Sequence, residues 1–368
     1  MLDVKQHLKA LVETHAPSGH ESPIRVIVRE AWHDLTDEFT EDRLGSLVGI
    51  KRATRSTEGQ SATSTSPARR VMLAAHMDEI GLMVRDIVDG FLYVHRISGV
   101  DNRVMPAQPV LVHGKRPLPG IVATVPPHLL TADARRKYPT MNELIVDVGL
   151  PADEVAELVQ IGDLITPDVP LLELQGRQIA AKALDDRACV AAITVCLDLL
   201  KGMQHSWDVY ATATVQEETG LYGAKTAAYM IRPDIAIALD VTFGKQSGVD
   251  ADSSSEVGGG PVIGLGPNFH LKLNEQIRKT AKYHEIRLQD EPINGNSGTD
   301  AWAIQVSQGG VPTGLLSIPI RNMHSPVETV DLRDIERTGR LLAHFIAGLS
   351  GDFLQTIDYD QPVTAVTN

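Results

Sequence analysis

From residue 178 to residue 347 the chain alternates strand-like and helix-like apolar runs, and nothing else in it restricts the possible folds as tightly. Apolar spacing predicts a helix over "DDRACVAAITVCLDLLKG" (185–202), a strand over "WDVYATATVQ" (207–216), a helix over "GAKTAAYMI" (223–231) and strands over "DIAIALDV" (234–241) and "PVIGLG" (261–266). A helix over "LKLNEQIRKTAKYH" (271–284), another around "GTDAWAIQV" (298–306), a strand over "TGLLSIP" (313–319) and a long helix from Leu332 follow. Strands that read as unbroken apolar runs between helices are strands covered on both faces. The expected class is therefore α/β, a helix-covered and mostly parallel sheet.

The preceding part of the chain falls into two textures. Two helical patterns, "MLDVKQHLKALVETH" and "ESPIRVIVREAWHDL", open it, with Ser18 and Glu21 near the turn between them, and "VMLAAHM" (71–77) is a short buried strand ending at His76. The connecting stretch at 52–70 is Ser/Thr-rich and nearly free of apolar residues, so it reads as a flexible loop. Between residues 80 and 177 short alternating segments such as "GFLYVHRI", "QPVLVHG", "GIVATV" and "ELIVDVG" are separated by turn residues roughly every eight to twelve positions. That region is expected to be a small β-rich unit inserted into an α/β domain made of residues 1–79 and 178–368.

Charge narrows the partners. With 34 basic and 47 acidic residues the net charge is -13, which disfavours nucleic acid and anionic membrane surfaces and suits a cytoplasmic protein. The N-terminus has no apolar run behind a basic start, and no window reaches about 18 uninterrupted apolar residues, so no membrane span is expected. Cys189 and Cys196, seven apart in one apolar run, fit two turns of a buried helix face better than a metal clip or a disulfide.

Polar residues gather at the strand ends: His76 with Asp78, Asp185 with Asp186, Glu217 with Glu218, Asp240, and His324. Each alone has a plain explanation as a helix cap, a solvated turn or a surface histidine. In an open α/β sheet, however, the crevice beyond the carboxyl ends of the strands brings such ends together. Carboxylates meeting there would repel one another and lose solvation, and two divalent cations resolve both problems. Two histidines with three or more carboxylates suit a pair of zinc-like ions bridged by a carboxylate and a water, and an uncoordinated carboxylate then serves as proton carrier. Adjacent acids point to different sides, so Glu217 and Glu218 can divide these roles; which acid of each pair does what stays open. Thr299 or Asp300 is a helix cap or a substrate contact, and Arg321 pairs with an acidic substrate group or a structural carboxylate. His95 and His113 read as surface or packing residues.

The stretches "PSGHES", "AAHMDEIGLMV", "DGFLYVHRISGVD", "GDLITPD", "AKALDDRACV", "QEETGLYGA", "ALDV", "NSGTDA" and "IPIRNMHSPVE" occur in this order across nearly the whole chain. In them it resembles the cytoplasmic dinuclear metallo-aminopeptidases that include glutamyl aminopeptidase and the tetrahedral aminopeptidases. The resemblance implies that His76, Asp185 and Asp240 ligate one metal and Asp185, Glu218 and His324 the other, with Asp185 bridging. It implies Glu217 as general base and later acid, and Asp78 as the carboxylate orienting the His76 imidazole. It also implies a β-barrel-like dimerisation domain and dimers assembling into a hollow tetrahedral dodecamer open to short peptides. Zinc, cobalt and manganese all suit such ligands. The insert at 52–70 and the stretch "RVMPAQPVLVHG" depart from the family pattern without touching a ligand. The competing functions are a deacylase or glycan hydrolase on the same scaffold, or a non-catalytic binding or assembly protein. A glycosidase ordinarily works with two carboxylates and no metal, so the two histidines argue against it.

Overall fold

The computed structural model describes residues 2–55 and 68–358. An eight-stranded sheet runs, from edge to edge, through Glu38–Glu41, Leu47–Lys51, Asp208–Thr214, Arg70–His76, Ile235–Phe243, Thr313–Ile320, Val262–Leu265 and Gln289–Pro292. The four central strands, from Asp208–Thr214 to Thr313–Ile320, are parallel to one another. Their side chains alternate between two cores. Val71, Leu73 and Ala75 join one with Val209, Ile235, Ile237 and Leu316, whereas Met72, Ala74, Ala236 and Ala238 join the other. The first core is closed by helices Val4–Glu13, Ser22–Trp32, Leu184–Leu200, Leu271–Tyr283 and Leu332–Ala347, the second by Tyr222–Ile231 and Asp300–Ile304. Small alanines on the second face let those two short helices approach the sheet closely.

Six antiparallel strands between Gly81 and Pro167 close into a separate barrel. Its interior is filled by alternate residues such as Leu82, Val84, Leu92, Val94, Val110 and Val112. A three-stranded antiparallel sheet, Leu172–Glu173, Gln178–Ala181 and Glu328–Asp331, ties the chain leaving the barrel to the approach of the last long helix. The α/β class with helices on both faces of a largely parallel sheet, and a β-barrel beside it, is the expected architecture.

Two features differ from the expectation. The strands Glu38–Glu41, Leu47–Lys51 and Gln289–Pro292 were not anticipated: the two edge strands are partly exposed and polar and show no apolar run, and Leu47–Lys51, though buried, is only five residues long and broken by Gly49. The adjacent acids Asp185 and Asp186 do not cap a helix in the ordinary way. Both have non-helical backbone angles, and the helix becomes regular only from Arg187. The central part of the 52–70 loop, residues 56–67, lies outside the described residues. No described helix is long and apolar enough to cross a membrane.

Candidate metal centre

The register of the central strands dictates where the polar residues meet. Thr214 pairs with His76, Ala238 with Ala74, and Asp240 with Ser317, so the carboxyl ends of four neighbouring strands finish side by side. His76 ends its strand there, Asp240 lies three residues before the end of its own, and Glu217, Glu218 and His324 lie in the turns beyond their strands. Asp185 and Asp186 enter from the start of helix Leu184–Leu200. All seven sequence-expected site residues, His76, Asp78, Asp185, Glu217, Glu218, Asp240 and His324, are at this one edge.

Asp185 lies between the two histidines. Its Oδ1 is 3.1 Å from His76 Nε2 and its Oδ2 is 3.3 Å from His324 Nε2. The two glutamates approach the same ring nitrogens, with Glu217 Oε2 3.9 Å from His76 Nε2 and Glu218 Oε2 3.9 Å from His324 Nε2. Asp186 faces elsewhere: its Oδ2 accepts the backbone N–H of His76 at 3.2 Å. It still groups with His76 and Asp240 as a set whose ligand atoms lie within 4.8 Å of one another, as His76, Asp185 and Glu218 do. The first set shows that Asp186 is close enough to be a ligand in its own right, and its position favours Asp185 as the residue shared by both histidines.

A shell of hydrogen bonds holds these groups. Asp78, fully buried, has Oδ1 3.4 Å from His76 Nδ1 and accepts the N–H groups of Glu217 at 3.1 Å and Glu218 at 3.3 Å. The Ser18 hydroxyl donates to its other oxygen. One carboxylate thus sets both the imidazole and the turn that carries the paired acids. Glu328 does the same across the cavity, accepting Asp185 N–H at 3.0 Å and His324 N–H at 2.8 Å. His324 has φ 60°, a left-handed backbone that a non-glycine residue keeps only when its surroundings impose it.

The barrel reaches into the centre. Ser98 Oγ donates to Glu218 Oε2 at 2.5 Å, and Gly99 lies so close to His324 that a Cβ there would be 2.2 Å from its Nδ1. Cys189, placed in the sequence as a packing residue, is buried as expected but also donates its thiol to the Asp240 carbonyl at 3.1 Å. Ser98, Gly99 and Glu328 escaped the sequence reading. The stretches "HRISGVD" and "HSPVE" hold them, yet a hydroxyl, a glycine and one more acid carry no local signal of their purpose. Asp300 is buried and accepts the Thr214 hydroxyl at 2.5 Å, and Thr299 holds the N-cap position of its helix without a side-chain cap. Arg321 binds the Gln178 amide oxygen at 2.5 Å, not a carboxylate, and lies outside the cavity. His113 packs as expected, against Thr166 and the His15 ring, and His95 is exposed.

Charge crowding shows in the acid–base balance. Burial, then the like charges of Asp240, Asp300 and Glu218, hold the Glu217 carboxyl far above the usual range, to about 11. Burial and Asp185 push Glu218 up to about 7, and burial drives Asp240 and Asp186 well upward. Burial opposes charge on Asp185 too, but the two histidines outweigh it and keep its carboxyl low. His324 is raised to about 9, chiefly by its hydrogen bond to Asp185, and His76 is raised despite its burial by Asp185, Asp78 and Glu217. Among the described residues, buried Asp186 Oδ1 and Glu218 Oε1 have no hydrogen-bond partner. Carboxylates in excess, two imidazoles and buried oxygens without partners are a donor set suited to divalent cations.

Comparison with known proteins decides the family. A profile of the M42 glutamyl aminopeptidase family matches residues 60–341. The chain belongs to this family. M42 peptidases are metal-dependent hydrolases of peptide bonds, and the chain is an aminopeptidase of that class. It is 38% identical over 341 residues to the lysyl aminopeptidase of Pyrococcus furiosus, covering 91% of this chain and 94% of that one. An aminopeptidase structure from the archaeon Desulfurococcus kamchatkensis superposes with a TM-score of 0.87 at 36% identity over 98% of both chains. The TET1 peptidase of Pyrococcus horikoshii, which can assemble into a tetrahedron or a large octahedral shell, superposes with a TM-score of 0.80 at 29% identity over 94% of this chain and 100% of that one. These three matches cover 91% to 98% of this chain.

Proposed function

We propose that this M42 aminopeptidase releases N-terminal residues from short peptides with two divalent cations, zinc by preference and cobalt or manganese as substitutes. The observation that carries the reading is the placement of Asp185, one oxygen toward His76 and the other toward His324. In this reading His76, Asp185 and Asp240 hold one ion and Asp185, Glu218 and His324 the other. Bound there, the pair polarises the scissile carbonyl and lowers the pKa of an attacking water. Asp78 keeps the His76 ring in register and fixes the Glu217–Glu218 turn. Glu217, buried and within the cavity, takes the proton from the water and passes it to the leaving amine.

The reading divides the chain into a catalytic domain, residues 1–79 and 178–368, and an inserted dimerisation domain, residues 80–177. Dimers formed through the barrel would build a hollow tetrahedral dodecamer in the cytoplasm, an assembly supported by the tetrahedral form of the TET1 relative. Metal counting separates the residue roles. Glu217→Gln is expected to keep two ions per chain and to lose turnover by a factor of about 100 or more. Asp185→Asn is expected to weaken both ions together. A Glu217→Gln variant that loses metal as readily as it loses turnover, or an Asp185→Asn variant that retains two tight ions, would refute the assignment.

A further inference from the structure

The cavity over the metal centre encloses about 540 Å³, and its wall carries one carboxylate for which the reaction has no use. That carboxylate is Glu291, on the edge strand Gln289–Pro292. Its Oε1 accepts the Thr242 hydroxyl at 2.5 Å, and the Ser317 hydroxyl also binds it. Thr242 follows Asp240 by two positions on one strand, so the two side chains leave the same face about 7 Å apart. Glu291 is therefore anchored about one side-chain length from Asp240, a metal ligand in the proposed function. We propose that Glu291 selects substrates whose N-terminal residue is cationic, lysine or arginine, by pairing with the side chain of that residue.

The proposal rests on the aminopeptidase reading of the same site, and three further observations support it. First, among the described residues no lysine or arginine lines the cavity. Burial drives the Glu291 carboxyl upward, with only hydroxyl groups opposing. A half-buried carboxylate without a counter-charge is costly, and a substrate cation supplies what the wall lacks. Second, among the described residues Glu291 is the one cavity-lining carboxylate that the proposed two-ion assignment leaves without a role. Third, dimension and lining agree. An extended four-carbon lysine stem spans roughly 6 Å, and Phe243 and Met323 offer apolar surface for its methylenes while Asn296 and Ser297 remain for the ammonium hydrogens. A leucine in the same place would leave Glu291 unpaired, and a glutamate would face it with like charge.

The test is a set of kcat/KM values for lysyl, arginyl, leucyl and glutamyl amidomethylcoumarins with metal-loaded wild type, Glu291→Gln and Glu291→Asp. Wild type is expected to favour the lysyl and arginyl substrates over the leucyl one by about 10-fold to 100-fold, and the glutamyl substrate least. Glu291→Gln is expected to collapse the lysyl-to-leucyl ratio by a similar factor, carried mainly by KM, and Glu291→Asp to restore part of it. Cleavage of leucyl substrate as fast as lysyl by wild type, or an unaltered ratio in Glu291→Gln, overturns the proposal while leaving the aminopeptidase reading in place. Hydrolysis of no free-amino substrate by enzyme carrying two ions per chain overturns both.

Discussion

Replacing Gly99 by alanine tests the claim that the barrel helps to build the catalytic centre. A Cβ at Gly99 would meet His324 Nδ1 at 2.2 Å and Cε1 at 2.7 Å, where ordinary contact begins near 3.4 Å. The obstruction is an imidazole ring, and its backbone is fixed by Glu328 and by a left-handed φ, so it has little freedom to swing aside. To relieve the overlap the ring must withdraw by about 1 Å, several times the roughly 0.2 Å that a metal-ligand distance tolerates. If His324 and Glu218 hold one ion as proposed, loss of one well-placed ligand should weaken it by about 10-fold to 100-fold, some 1.4 to 2.7 kcal/mol. The ion held by His76 and Asp240 should be much less affected. The assay is competition with a chelator, read as two separate dissociation steps, alongside kcat/KM as metal is added back. Gly99→Ala should release one ion early and recover activity at raised metal concentration. Two ions released together as in wild type, with activity within twofold, would refute the reasoning, because a ring displaced on that scale cannot leave its site intact.

Two predictions concern stability. Glu79 is buried against Lys182 Nζ at 2.6 Å and Arg187 at 3.4 Å, so Glu79→Gln strands two buried cations and should cost about 3 to 5 kcal/mol in urea unfolding at neutral pH. Lys182 is already depressed to about 8, first by burial, so raising the pH should recover part of the loss, since folding then requires less deprotonation of that lysine; a loss under 1 kcal/mol would contradict the pairing. His7 is depressed to about 4 by burial, its Nε2 3.0 Å from the Thr194 hydroxyl, which also accepts from Trp32 Nε1 at 2.8 Å. The unfolded chain therefore takes up a proton near pH 6.5 that the folded chain refuses until about pH 4, so this contribution is complete above 6.5 and declines as the pH falls through that window. Discounted for partial exposure, the slope is about 1 kcal/mol per pH unit, and a His7→Gln variant with the same slope as wild type would exclude His7 as its source.

The central strands are legible in the sequence because burial on both faces makes each a continuous apolar run, and those at 70–76 and 235–243 carry His76 and Asp240 at or near their carboxyl ends. The barrel is legible from period-two alternation, as in Leu82 and Val84 or Leu92 and Val94. The polar edge strands are not, since solvent imposes no pattern on "EFTE" or "QDEP". Convergence of the strand-end acids follows from topology, but the difference between Asp185 and Asp186 arises from one turn of backbone before helix Leu184–Leu200. Ser98 touches Glu218 across 120 residues and Glu328 touches Asp185 across 143, and contacts that distant leave no trace in local spacing. The same holds for Glu291, an acid in an exposed-looking strand whose meaning depends on Thr242, 49 positions earlier.

The scattering of the centre along the chain also governs when hydrolysis can begin. His76 and Asp185 are 109 positions apart, with the whole barrel made between them, and His324 comes later still, after the central strands Asp208–Thr214, Ile235–Phe243 and Thr313–Ile320. A nascent chain emerging from the ribosome therefore has neither the shared carboxylate between two imidazoles nor the barrel contact that seats one of them. A proteolytic fragment that stops short of His324 lacks them as well. Hydrolysis on the proposed assignment therefore waits on a fold assembled as far as His324, because no shorter stretch brings both imidazoles to Asp185.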